Sequence, residues 1–100
     1  MTDKYILDGH NVVVCDDLIK WAEWFEVADR TVARTKIGVV KISTVFLGLD
    51  HQFSGGKPLL FETLVFGGEL DGEMDRYSTW DEALNGHEKM VERVKDEVQK

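Results

Sequence analysis

The chain has one cysteine, Cys15, and one proline, Pro58, in 100 residues. A lone cysteine excludes an internal disulfide and fits a reducing compartment. Spacings of the Cys-x-x-Cys or His-x-x-x-His kind are missing, so no metal and no cofactor is expected. No apolar run approaches the roughly 18 residues that a spanning helix needs, and the Met-Thr-Asp-Lys start lacks the apolar core of a leader. The expectation is a soluble, cytoplasmic protein with no membrane partner. Gly55-Gly56-Lys57 lacks the phosphate-loop pattern, and Ser43, Ser54 and Ser78 stand outside any Gly-x-Ser-x-Gly context. No triad is visible, and a conventional enzyme is not expected. Repeats, low-complexity segments and linkers are also absent, so residues 1–100 read as a single domain.

Positive charge is in the minority: 12 Lys and Arg stand against 19 Asp and Glu, a net charge of −7. That balance argues against an extended nucleic-acid surface, which needs clustered cations. It leaves room for one small basic pocket, since Arg30, Arg34, Lys36 and Lys41 lie close together in sequence. Cys15 follows three valines and precedes Asp16 and Asp17. Reactive thiols sit in electropositive settings, so Cys15 reads as a small buried apolar residue.

What is present is a pattern of short β-prone runs and two helices. Residues 4–7 and 12–14 read as strands around the turn Asp8-Gly9-His10-Asn11. Asp16 or Asp17 then caps a helix reaching about Asp29. Its stripe Leu18, Trp21, Ala22, Phe25, Ala28 is expected to face the sheet. Ile19, Trp24 and Val27 lie off that stripe, which marks them as an interface with a second copy. Residues 31–36, 39–49 and 59–67 read as further strands, and 74–77 as a short edge strand. Ser78 or Thr79 opens the last helix, with Ala83, Leu84, His87, Val91, Val94 and Val98 at helical spacing. Gly86, in mid-helix, predicts a close approach to the sheet or to a neighbouring chain. The resulting fold class is α+β: a two-layer, antiparallel meander of three to five strands with two helices.

The runs 39–49 and 59–67 alternate poorly between apolar and polar, so both faces are expected to be at least partly covered. That implies helices on both sides or a homo-oligomer. Glu62 shares its face with Leu60, Leu64 and Phe66, and a carboxylate so placed needs hydrogen bonds or a cation. Arg30, Arg34 and Arg76 are its candidate partners. A ligand pocket built from Arg30, Arg34, Thr44 and Glu62 is the alternative. His87 is expected to be packed, with one nitrogen satisfied.

The run Val32-Ala33-Arg34-Thr35, Ser43 to His51, Leu60 to Thr63, Val65 to Gly68, Arg76 to Trp80 and His87 resembles a family of short uncharacterised proteins encoded by bacteriophages and prophages. The likeness covers about residues 5 to 94. It implies a viral accessory protein in the host cytoplasm and carries over no catalytic role. The leading reading is therefore a non-enzymatic binding protein that assembles with itself. An inhibitor of a host defence protein, or a sponge for a small anionic ligand, is the second reading. A metal-dependent hydrolase at Glu62, Asp50 and His51 is the third.

Overall fold

The computed structural model describes residues 3–52 and 55–99; Phe53 and Ser54, within the expected 51–57 loop, lie outside them. Six strands and two helices follow one another as β1 (Tyr5–Asp8), β2 (Asn11–Val14), α1 (Leu18–Val27), β3 (Thr31–Ile37), β4 (Val40–Phe46), β5 (Phe61–Phe66), β6 (Met74–Tyr77) and α2 (Trp80–Val98). The last four strands form an antiparallel meander in sequence order, and β1–β2 form a separate hairpin. The fold is α+β.

The meander sorts its side chains by strand period. Val40, Ile42, Thr44 and Phe46 on β4, with Phe61, Thr63 and Val65 on β5, are all buried beneath α2. α2 supplies Ala83, Gly86, His87, Met90, Val91 and Val94 to the same interior. Its start is fixed by a full capping box, Thr79 accepting from the Glu82 backbone while Glu82 reaches back to the Thr79 N–H. Met90 is a core residue that the expected stripe omits.

Gly86 is where the helix comes closest to the sheet. A Cβ there would overlap the ring and hydroxyl of Tyr77, so only glycine admits the phenol. Ordinarily Gly→Ala in a helix gains about 1 kcal/mol. Here Gly86→Ala is expected to cost a net 1–3 kcal/mol, roughly the penalty of overpacking a core. Chemical denaturation measures the loss, and in a Tyr77→Ala background the same change is expected to turn stabilising.

Past Phe46 the chain bends at Gly48, whose φ is +77°. Residues on both sides of the bend continue to pair: Leu47 N–H donates to the Leu60 carbonyl and His51 N–H to that of Leu59. On the other side Tyr5 N–H donates to the Gly48 carbonyl. The β1–β2 hairpin is thereby attached to the meander as a wing. Tyr5, Leu7 and Val12 of that wing pack into the cluster of Phe46, Leu60, Phe61 and Ala83. His10, in the hairpin turn, stacks on Trp80 with ring centres 3.8 Å apart and planes within 7°. The second layer is thus α2 plus this hairpin, both on one face of the meander.

α1 lies outside that layer. Asp17 caps it, accepting from the Ile19 and Lys20 backbones at 3.0 and 3.1 Å. Trp21 and Phe25 close over Gly48, leaving no room for a side chain there: a Cβ would stand 2.9 Å from the Phe25 ring. The Trp21 indole N–H donates to the carbonyls of Tyr5 and Gly48. Three expectations change here. The inward stripe is Trp21, Trp24, Phe25 and Ala28, while Leu18 and Ala22 face outward. Trp24, expected at an interface with a second copy, packs inward, its ring edge-on to Phe46 at 5.8 Å. The helices do not lie on the sheet together, because the inward side of α1 matches the Gly48 bend rather than the broad face. Ile19 and Val27 are outward-facing as expected, and Cys15 is half-buried rather than buried.

Candidate functional site

Among the described residues, no helix packs on the face of the meander opposite α2. Its side chains, among them Val45, Glu62 and Leu64, are half-buried only by one another and by their neighbours. The covered face is apolar except along one line. Register sets Thr44 opposite Thr63, and Thr35 lies two pairs further along β3, on the same face. His87 comes down from α2 onto that line. Its Nε2 is 2.8 Å from Thr35 Oγ1, its Nδ1 is 2.7 Å from Thr44 Oγ1, and Thr44 Oγ1 is 2.5 Å from Thr63 Oγ1. Both nitrogens are engaged, one more than the sequence led us to expect.

A neutral imidazole has one donor and one acceptor nitrogen, while a hydroxyl offers one proton and two lone pairs. The chain Thr35–His87–Thr44–Thr63 is therefore satisfied in a single direction at a time. If Nε2–H donates to Thr35, Thr44 donates to Nδ1 and Thr63 donates to Thr44. Burial holds the His87 pKa below its ordinary value, only partly opposed by the Glu88 carboxylate. With Thr44, Thr63 and His87 all closed to solvent, the chain keeps protons fixed inside the core and presents no nucleophile.

Tyr77 lies at the end of this line. Its hydroxyl is buried without a well-formed hydrogen bond. Burial raises the phenol pKa, the nearby Thr63 hydroxyl opposes the rise, and Asp75 adds to it. A polar hollow lined by Asp75, Glu82, Asn85 and Lys89 opens beside the ring.

The expected ligand residues are not brought together. Thr44 belongs to the buried chain. Glu62 lies on the opposite, open face, where the Arg76 Nε donates to its carboxylate at 3.1 Å across β5 and β6. Of the three arginines considered, Arg76 is thus the partner. Arg34, also on the open face, donates to the Thr31 hydroxyl. Arg30 donates to the Phe46 carbonyl and lies over the Phe25 ring at 4.0 Å, joining α1 to β4. Asp50 closes the mouth of the 51–57 loop by accepting from the Gln52 and Leu59 backbones. Among the described residues no three His, Cys, Asp or Glu side chains are grouped to hold a metal ion. Among them, too, no helix is long and apolar enough to cross a membrane.

The buried chain was half legible: Thr44 and Thr63 each interrupt an apolar strand face, and His87 interrupts an apolar helix stripe. Thr35 gave no such signal, since β3 is mostly polar on its own. Comparison with known proteins finds no match: no family profile, no curated protein and no solved structure is similar to this chain.

Proposed function

We propose that this protein acts by binding rather than catalysis, as a homodimer joined through the outer side of α1. The observation that supports it is the exposure of an apolar helix. Leu18 is 60% exposed, Ile19 70% and Val27 84%, and no residue of α1 is fully buried. Surfaces of this kind mark interaction sites in soluble proteins. The polar side chains considered for chemistry favour the same reading, because His87, Glu62 and Asp50 are each committed to a structural partner.

Charge along α1 selects a second copy as the occupant. Lys20 stands near its start and Glu23 and Glu26 towards its end. A two-fold antiparallel pair brings each lysine towards the partner's glutamates and sets the helix dipoles antiparallel, the positive end of one beside the negative end of the other. Val13 and Val14, exposed on β2 just before the helix, extend the apolar surface. The resemblance to phage and prophage proteins supports an accessory role in the host cytoplasm.

Sedimentation at micromolar concentration is expected to give a dimer. Ile19→Glu is expected to give a folded monomer, and Lys20→Glu to weaken the dimer. Adding Glu26→Lys to Lys20→Glu is expected to restore it. A wild-type protein that sediments as a monomer throughout overturns the proposal.

A further inference from the structure

The open face of the meander has a charge opposite to that of the protein as a whole. Arg34, Lys36, Lys41 and Arg76 project from it against one acidic strand residue, Glu62, and Asp29 beside Arg34, in a chain of net charge −7. Glu62 is already paired to Arg76. The remaining cations occupy one half of the face, Arg34 and Lys36 on β3 beside Lys41 on β4. The other half is apolar: Leu64 and Phe66 on β5 and Met74 on β6. Phe66 and Met74 are 43% and 44% exposed. Over two of its three cross-strand rows the face is thus basic on β3 and apolar on β5 and β6, and the third row carries the Glu62–Arg76 pair.

We propose that this face binds an acidic amphipathic helix supplied by another protein. The centres of the two halves are two strand spacings apart, about 10 Å, close to the diameter of an α-helix. A helix laid along the strands would set an apolar stripe over Leu64, Phe66 and Met74 and an adjacent acidic flank over Arg34, Lys36 and Lys41. β4 has seven residues, so the face is about 23 Å long, the length of a helix of about fifteen residues, and the basic and apolar rows fill its end towards Lys41 and Phe66. A single-stranded nucleic acid fits less well. Base stacking needs open aromatic faces. The one ring here already carries the Lys41 ammonium at 4.9 Å from its centre. This surface is separate from α1, and the inference does not rest on the dimer.

The probe is a fluorescein-labelled synthetic peptide of fifteen residues, with leucines at helical spacing and glutamates on one flank, titrated with the full chain and read by anisotropy. Saturable binding that weakens with salt is expected. Phe66→Ser and the double change Lys36→Glu/Lys41→Glu are each expected to weaken it at least about tenfold, as loss of an anchor does. Ile19→Glu is expected to leave it unchanged. All these positions are exposed, and circular dichroism confirms folding of each variant. The proposal is overturned if no saturable binding occurs, or if a scrambled peptide of the same composition binds as tightly. It is also overturned if a fifteen-nucleotide oligothymidine binds more tightly than the peptide. Open-ended self-association abolished by Lys36→Glu/Lys41→Glu overturns it too, by showing another copy on the face.

Discussion

Phe46→Ala is expected to remove about 3–5 kcal/mol of stability, the range for deleting a buried phenylalanine. For a domain of this size the total is commonly about 5–15 kcal/mol, so the variant stands close to unfolding at 25 °C. The reason lies in what the ring joins. Phe46 is fully buried at the end of β4, tilted against Phe61 at 5.2 Å and met edge-on by Trp24 at 5.8 Å. It is the contact through which α1, the wing and the meander share one core. Arg30 reinforces the junction by donating to the Phe46 carbonyl, which the substitution leaves in place. Urea unfolding followed by tryptophan fluorescence measures the effect. Phe66→Ala is the control, the same residue type on the open face, and is expected to cost no more than about 0.5 kcal/mol, as surface changes usually do. Equal losses in the two variants would contradict the described packing.

The second large effect is expected at His87. His87→Leu removes the imidazole partner of both Thr44 and Thr35 and leaves a buried hydroxyl chain incomplete, for a loss of about 3 kcal/mol at pH 8. The pH dependence separates this from a simple packing defect. Burial lowers the folded-state pKa of His87 below its ordinary value of 6.5. Between the two values the unfolded chain binds a proton that the folded chain does not, so unfolding is favoured as pH falls. Wild-type stability is therefore expected to be fullest above the ordinary histidine range and to decline as pH drops through and below it. In His87→Leu the decline between pH 8 and pH 5 is expected to flatten. Parallel pH profiles for the two proteins would exclude His87 as its source.

The elements themselves were readable because their signals are local. Thr79 three residues before Glu82 marks a capping box, and Met74–Tyr77 sits between turn-forming residues; both appear where expected. Gly86 was recognisable as a close approach, although the ring that fills its space comes from β6, where nothing in the helix pattern points. The faces of α1 were not readable in the same way. Leu18 and Trp21 both satisfy helical spacing, and the choice between stripes depends on what the helix packs against. A broad sheet would accept the aliphatic stripe; the narrow bend at Gly48 accepts only the aromatic edge of Trp21, Trp24 and Phe25. The polar chain was hidden for a related reason. Thr35, Thr44, Thr63 and His87 come from four elements, and strand register alone brings them to one line.

The stack of His10 on Trp80 has a consequence for how the chain is made. The hairpin is complete within the first fifteen residues, but the surface it rests on includes the first turn of the final helix. During synthesis the hairpin emerges before the surface that covers it and waits, its apolar side bare, until the meander and the start of α2 have followed. Contacts between such distant parts of the sequence slow folding. The hairpin settles only when α2 arrives.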